Sequence, residues 1–417
     1  MTRAQPLSFG ALLALGVNGI VGVGIFFAPR EVAALAPGTT GLWAYALTAL
    51  LLVPIAGVYA SLGSRFAEDG GPYVWAREAF GGSAGFLVGW IAAVSALFST
   101  SAVMAGLATH AGPLVGASAP VARAAFGVFL CFVLAAIAFT GLRPSSWVWS
   151  TLTLLKLAPL VALVLAFFSA GEPAAAASEA AVVSLPRAML VVLFALQGFE
   201  IVVVPAGNAP RSGSGVAAAT VLALLGAALL YVALHAACLS VPNLAQSAAP
   251  LVDAAARHGG RGLSRTVSVA TNVSALGIAF GMFAMTPRYL AALGTDAGLG
   301  AWLGRESQRQ VPTRALAITL GVVAMLVVGP RLEQLFVLSS VAVVLQYSVS
   351  AAALVRLALT RTRGLGPRHL VLAGLSLAPV VLAATAASPR ELLVAFGALL
   401  LGGVVWGIRR FFGSRTR

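Results

Sequence analysis

Asn18-Gly19-Ile20-Val21-Gly22-Val23-Gly24-Ile25-Phe26 places three glycines in the middle of an apolar run that extends from about residue 8 to residue 36. A run of that length reads as one membrane-crossing helix, because about 20 apolar residues cover the hydrocarbon thickness. Each interior glycine costs a helix about 1 kcal/mol relative to alanine, so three so close together predict a break. Broken backbone exposes N–H and C=O groups that hydrocarbon cannot satisfy. Such a break is tolerated only beside protein or a water-lined cavity. Close helix packing is the competing reading, since small residues also serve membrane helix contacts.

Outward from this stretch the chain stays apolar. Of its 417 residues 60% are hydrophobic and 9% charged, with a mean hydropathy of +0.98. A soluble domain carries about a quarter charged residues. Twelve apolar segments are readable, at about 8–36, 41–64, 84–112, 121–141, 147–169, 184–206, 215–241, 266–290, 313–329, 333–356, 368–386 and 391–410. The fold class predicted is an all-α polytopic membrane protein with 12 transmembrane helices in a single domain. The first segment runs past signal-peptide length without a small-residue cleavage site.

The net charge of +14 does not indicate nucleic acid. With both termini placed in the cytoplasm, seventeen arginines fall on that side and eight on the other. This is the positive-inside asymmetry of a multi-pass protein of the cytoplasmic (inner) membrane, with an attraction to anionic membrane lipid. The residues around Ala248–His258 read as a short helix outside the membrane.

A second apolar segment carries a matching interruption, Phe194-Ala195-Leu196-Gln197-Gly198-Phe199-Glu200. Segments one and six open two sets of five, covering 8–169 and 184–356, with two further helices over 368–410. Paired interruptions at corresponding places in two halves point to a transporter binding site between inverted repeats. An odd number of helices per set gives the halves opposite orientation.

The chemistry of such a site follows from the backbone. The half-helix starting near Gly24 presents the positive end of its dipole, suited to a carboxylate. Freed carbonyls and the Glu200 carboxylate suit an ammonium group. A site with one pole of each kind fits an amino acid. The candidate binding residues are Asn18, Gly22, Val23, Gly24 and Ile25 on one side. Phe194, Gln197, Gly198 and Phe199 stand on the other, with Glu200 in support. Asn272 and Tyr347 are further polar groups inside apolar helices, while His110 and His235 read as satisfied interior histidines.

Lys156 is the only lysine among 26 basic residues, and it interrupts the apolar Leu152–Leu160. A lysine at bilayer depth costs roughly 3 kcal/mol on insertion scales, and burial brings lysine deprotonation towards neutrality. It is therefore the candidate ion-coupling charge. Snorkelling to an interface and capping of backbone carbonyls are the alternatives.

Other chemistries find no support in the sequence. Cys131 and Cys238 read as small core residues. No metal-ligand cluster, Ser/His/Asp arrangement or phosphate-binding loop is readable, so neither a cofactor nor an enzymatic activity is expected.

These residues resemble the amino acid–polyamine–organocation (APC) superfamily, in particular its bacterial amino-acid permeases. Gly22-Val23-Gly24-Ile25-Phe26 is similar to the family's first-helix break, and Phe194 to Glu200 to its sixth-helix break. Ala60–Phe66 followed by Gly70–Gly81 closely resembles its second helix and first cytoplasmic loop. Pro287-Arg288-Tyr289-Leu290, Val311–Ala315, and Leu338-Ser339-Ser340 with Tyr347 look like later family segments. The resemblance implies a LeuT-type 5+5 inverted repeat plus two peripheral helices, with helices 1 and 6 broken around the substrate. It also implies that Lys156 stands where sodium-coupled relatives hold the ion, hence sodium-independent transport by proton coupling or exchange.

Three positions depart from the family pattern. Val23 replaces a smaller or hydroxylic residue, Leu196 replaces an aromatic one, and Val204–Arg211 lacks the usual acidic residues. The expected function is alternating-access transport of amino acids, with neutral ones favoured by the uncharged surroundings. A polyamine or organic-amine exchanger and a non-transporting amino-acid receptor are the alternatives. Arg65, Arg77, Glu68, Asp69 and Glu78 form either an inner gate or solvated loop charges.

Overall fold

The computed structural model describes residues 9–66, 72–141, 146–171, 183–200, 214–295, 301–309 and 311–413. Among them there are helices and connecting turns and no strand. In chain order the helices are α1 (Phe9–Ile20), α2 (Val23–Leu35), α3 (Thr40–Gly63), α4 (Pro72–Phe80), α5 (Gly82–Ala111), α6 (Pro120–Phe139), α7 (Ser146–Ala170) and α8 (Leu185–Leu196). There follow α9 (Ser214–Cys238), α10 (Pro250–Thr295), α11 (Ala301–Gly304), α12 (Thr313–Val328), α13 (Leu332–Leu359), α14 (Arg368–Leu375), α15 (Ala378–Ala386) and α16 (Pro389–Gly413).

Eight spans among the described residues are long and apolar enough to cross a membrane, and the bent pair α1 and α2 makes a ninth if counted as one. The sequence reading expected twelve. Of the other three apolar segments, α8 and α12 are shorter helices, while α7 runs for 25 residues, of which Leu155–Ala170 are described with their side chains. α8 stops because Gly198 takes φ +117° just beyond it. α12 ends at Gly329, and Pro330 cannot continue it.

Leu50, Phe129, Phe168, Leu229, Met325, Leu393 and Leu400 are all more than half exposed. So much outward apolar surface is at home in hydrocarbon and a liability in water. With the long apolar helices, it makes this a multi-pass membrane protein. Cys131 and Cys238 are buried, as expected of core residues.

The expected outer helix at 248–258 forms the start of α10, which bends at Gly260 (φ +67°) before the long apolar part begins. Glycine permits that turn because no Cβ meets the carbonyl.

α3 lies along α9, α5 packs between α10 and α13, and α1 rests on α9. α2 lies against α8, so the two interrupted segments meet inside the bundle. Their far ends are also joined, since the N–H groups of Val183 and Ser184 both donate to the Leu35 carbonyl at 3.0 Å. Ser184 then caps α8 by accepting from the Arg187 N–H. α3 and α13 pin the same helix: Thr48 donates to the Met189 carbonyl at 3.2 Å and Ser340 to that of Leu190 at 2.7 Å.

Candidate functional site

The first interruption is a bend of 42° between α1 and α2. Val21 still donates to the Val17 carbonyl at 2.8 Å, whereas Gly22 turns back to Ile20 at 2.6 Å. Gly22 is extended at the head of α2 and offers no side-chain cap. The first N–H groups of α2 have no carbonyl in their own helix, and the dipole adds positive potential there. The helix restarts at Val23, one residue before the expected place. Of Val23 only the backbone is described, so the expectation about its side chain lies outside the described residues.

The carbonyls released by the bend are claimed by protein groups. Lys156, buried in α7, donates to Val21 at 2.5 Å and to Asn18 at 3.0 Å. Tyr231, fully buried in α9, donates to Ile20 at 2.8 Å. The sequence reading gave the freed carbonyls to a substrate ammonium. In this structure three of them are held by a lysine and a tyrosine, because both side chains are long enough to reach the bend from neighbouring helices. What Asn18 brings to the contact with Lys156 is its backbone oxygen, not its amide.

The second interruption follows Leu196. Gln197 is extended and Gly198 takes φ +117°. The bend presses against the first one. A Cβ on Gly198 would stand 2.3 Å from the Gly19 carbonyl oxygen, and one on Gly24 would stand 2.6 Å from the Ala195 Cα. Both glycines are therefore required by close backbone approach, and at Gly198 by its positive φ as well. Gly22 is less confined, with its nearest neighbour at 3.5 Å. Ile25 is buried just inside α2.

Around the contact the side chains divide into four groups. Glu200 accepts the Gly198 N–H at 2.8 Å and the Tyr347 hydroxyl at 3.3 Å. Tyr59, Phe199 and Tyr347 pack about each other with ring centroids 5.6–6.0 Å apart. Gln197 donates to Ser99 at 3.2 Å and Ser339 at 3.0 Å, and those two hydroxyls share a bond of 2.6 Å. The Gln197 oxygen is buried with no donor among the described residues. Phe194 stacks on Phe336 at 4.3 Å, and Leu196 is fully buried.

The structure thus gathers the expected residues of both interruptions, with Lys156 and Tyr347, in one region. It adds Tyr59, Ser99, Tyr231, Phe336 and Ser339. Ser339 and Tyr347 stood out in the sequence as family-like positions; the others are single polar or aromatic residues in apolar helices and carried no signal of their own. Asn272 is not drawn into these contacts and bonds locally to the Ser268 carbonyl.

His235 corrects an expectation. It is buried, but neither ring nitrogen finds a partner among the described residues, and the ring packs on Tyr45 at 4.9 Å. The approach of α3 at Gly41 fills the space beside it, so packing rather than hydrogen bonding holds this ring. His110 is also buried, with Nε2 unpartnered among the described residues. Glu68, Asp69 and Val204–Arg211 lie outside the described residues.

Comparison with known proteins gives this arrangement a context. A family model described as amino acid permease matches residues 7–403. An arginine/ornithine antiporter of Pseudomonas aeruginosa is 28% identical over 337 residues, 76% of this chain and 69% of that protein. A branched-chain amino acid permease of Lactococcus lactis is 24% identical over 350 residues, 78% of this chain and 75% of its own length. An arginine/agmatine antiporter of Chlamydia pneumoniae is 28% identical over 244 residues, 53% of this chain and 50% of that protein.

Proposed function

The chain belongs to the amino acid permease family, and from that premise we propose that it is a secondary transporter carrying an amino acid past the contact between its two interrupted helices. The observation that carries this reading is the opposition of the uncapped start of α2 to the bend at Gln197-Gly198, with Glu200 beside it. The N–H groups of Val23, Gly24 and Ile25 receive the carboxylate. Glu200 and the last carbonyls of α8, which a helix end leaves without intrahelical partners, receive the ammonium. Asn18 and Gly22 shape the bend.

Lys156 holds the carbonyls of Asn18 and Val21 with its own ammonium. A free cation would need those same oxygens, so transport is sodium-independent, coupled to protons or to exchange. The segments 8–169 and 184–356 act as two inverted five-helix repeats of a twelve-helix LeuT-type fold, with 368–410 peripheral and both termini cytoplasmic in a bacterial inner membrane. Alternating access comes from rocking of helices about the contact.

Neutral substrates suit the uncharged wall of Phe194, Phe336, Gln197, Ser99 and Ser339, whose open Gln197 oxygen can accept from a ligand. One observation favours a cationic amino acid or an amine instead, namely a carboxylate bordered by the aromatic rings of Tyr59, Phe199 and Tyr347. Proteoliposomes offered radiolabelled leucine and arginine, with and without sodium, a proton gradient or internal amino acid, decide between these readings. Leucine flux without sodium is expected. Arginine or amine flux alone selects the second reading, and no flux under any condition contradicts transport.

A further inference from the structure

We infer that a second site, built for the carboxylate or phosphate group of a small ligand, lies where α5 and α12 end and α6 and α13 begin. A cavity of about 460 Å³ opens there, lined on its polar side by Arg30, Glu31, Thr109, Arg123, Arg331 and Glu333. That volume lies within the range of small-molecule sites. None of the residues around the helix interruptions lines it, so this inference stands whether or not the transport reading does.

The charges are unbalanced in favour of an anion. Three guanidiniums face two carboxylates. Glu333 is already engaged by the Arg187 Nε, and Arg187 also forks onto Glu391 at 2.9 and 3.1 Å. Glu31 lies 3.8 Å from Arg30. Arg123 and Arg331 line the cavity and have no ion-pair partner among the described residues. The planar guanidinium fork matches a carboxylate or phosphate in two-point contact. An oxyanion held between Arg123 and Arg331 pairs with both guanidiniums.

The site also touches both interrupted segments. Arg30 and Glu31 belong to α2. Glu333 reaches α8 through Arg187, and the Leu35 carbonyl already ties the end of α2 to the start of α8. Occupancy therefore ties the start of α6 to the start of α13, beside the joined ends of α2 and α8.

The same oxyanion chemistry is offered by a free carboxylate and by a lipid head group, and one experiment separates them. The full-length protein is placed in nanodiscs of phosphatidylcholine, titrated with radiolabelled succinate, and repeated with phosphatidylglycerol included. Native mass spectrometry then counts retained phosphatidylglycerol. Saturable succinate binding assigns a free ligand. Phosphatidylglycerol retained with the protein assigns a head group.

In either case Arg123→Gln with Arg331→Gln should weaken the interaction roughly tenfold or more, as expected when a charge-assisted fork is lost. Glu31→Gln should strengthen it, an effect that a purely structural role would not produce. Arg331→Gln alone, at an exposed position, serves if the double variant does not fold. Neither probe bound, or binding indifferent to all these substitutions, overturns the proposal.

Discussion

The Lys156 ammonium donates to the Val21 carbonyl at 2.5 Å, so the only lysine in the chain holds the bend between α1 and α2. The same nitrogen reaches Asn18 at 3.0 Å. A positive charge at this depth is kept by oxygens that the bend itself releases. Bend and lysine are mutually dependent: without the bend the charge has no acceptors, and without the charge two buried carbonyls lose their donor.

Lys156→Ala removes both the cation and the carbonyl cap. Uptake stimulated by an inward proton gradient should lose that stimulation, measured in proteoliposomes at matched protein content. Stimulation that survives intact would sink the coupling role and leave Lys156 a structural cap.

Glycine substitutions should rank by the room around them. Gly198→Ala places a Cβ at 2.3 Å from the Gly19 oxygen at a φ of +117°, where backbone strain adds about 1–3 kcal/mol to the clash. Gly24→Ala meets Ala195 at 2.6 Å, whereas Gly22→Ala meets nothing nearer than 3.5 Å. Transport should fall to background for the first two and stay close to wild type for the third. Equal loss at all three would contradict the contact between the interruptions.

Tyr231→Phe removes one of the two donors to the Ile20 carbonyl and leaves it the Gly22 N–H. The cost should be about 0.5–1.5 kcal/mol, the net worth of one hydrogen bond, read as a lower melting temperature in detergent with the helical content unchanged. An unchanged melting temperature would mean that water replaces the hydroxyl.

Glu200→Gln keeps an acceptor for the Gly198 N–H but removes the charge offered to an ammonium group. KM should rise roughly tenfold, equivalent to about 1.4 kcal/mol, with the protein still folded. A KM that does not move would place the ammonium elsewhere.

Much of this was readable from the chain. The two glycine interruptions, the buried lysine and the position of Glu200 beside the second break all follow from local composition and spacing. What spacing cannot show is which groups meet across helices. Tyr231 reaches Ile20 from 211 residues away, and Gln197 reaches Ser339 from 142. Arg187 joins Glu333 and Glu391 only because α8, α13 and α16 converge at one end. Among the described residues, apolar segments also outnumber the helices long enough to span, and glycine and proline end α8 and α12 without lowering their hydrophobicity. The freed carbonyls show the same limit most plainly. Their release is legible in the glycines, but their capture by Lys156 and Tyr231 depends on helix crossings that hydrophobicity does not encode.

The most direct test of the account is a cryo-electron microscopy structure of the protein in nanodiscs saturated with the amino acid that it transports best. The account predicts ligand density between the start of α2 and Gly198, with the carboxylate on the N–H groups of Val23–Ile25 and the ammonium towards Glu200. Density only in the cavity of Arg123 and Arg331, or none between the interrupted helices, would contradict it.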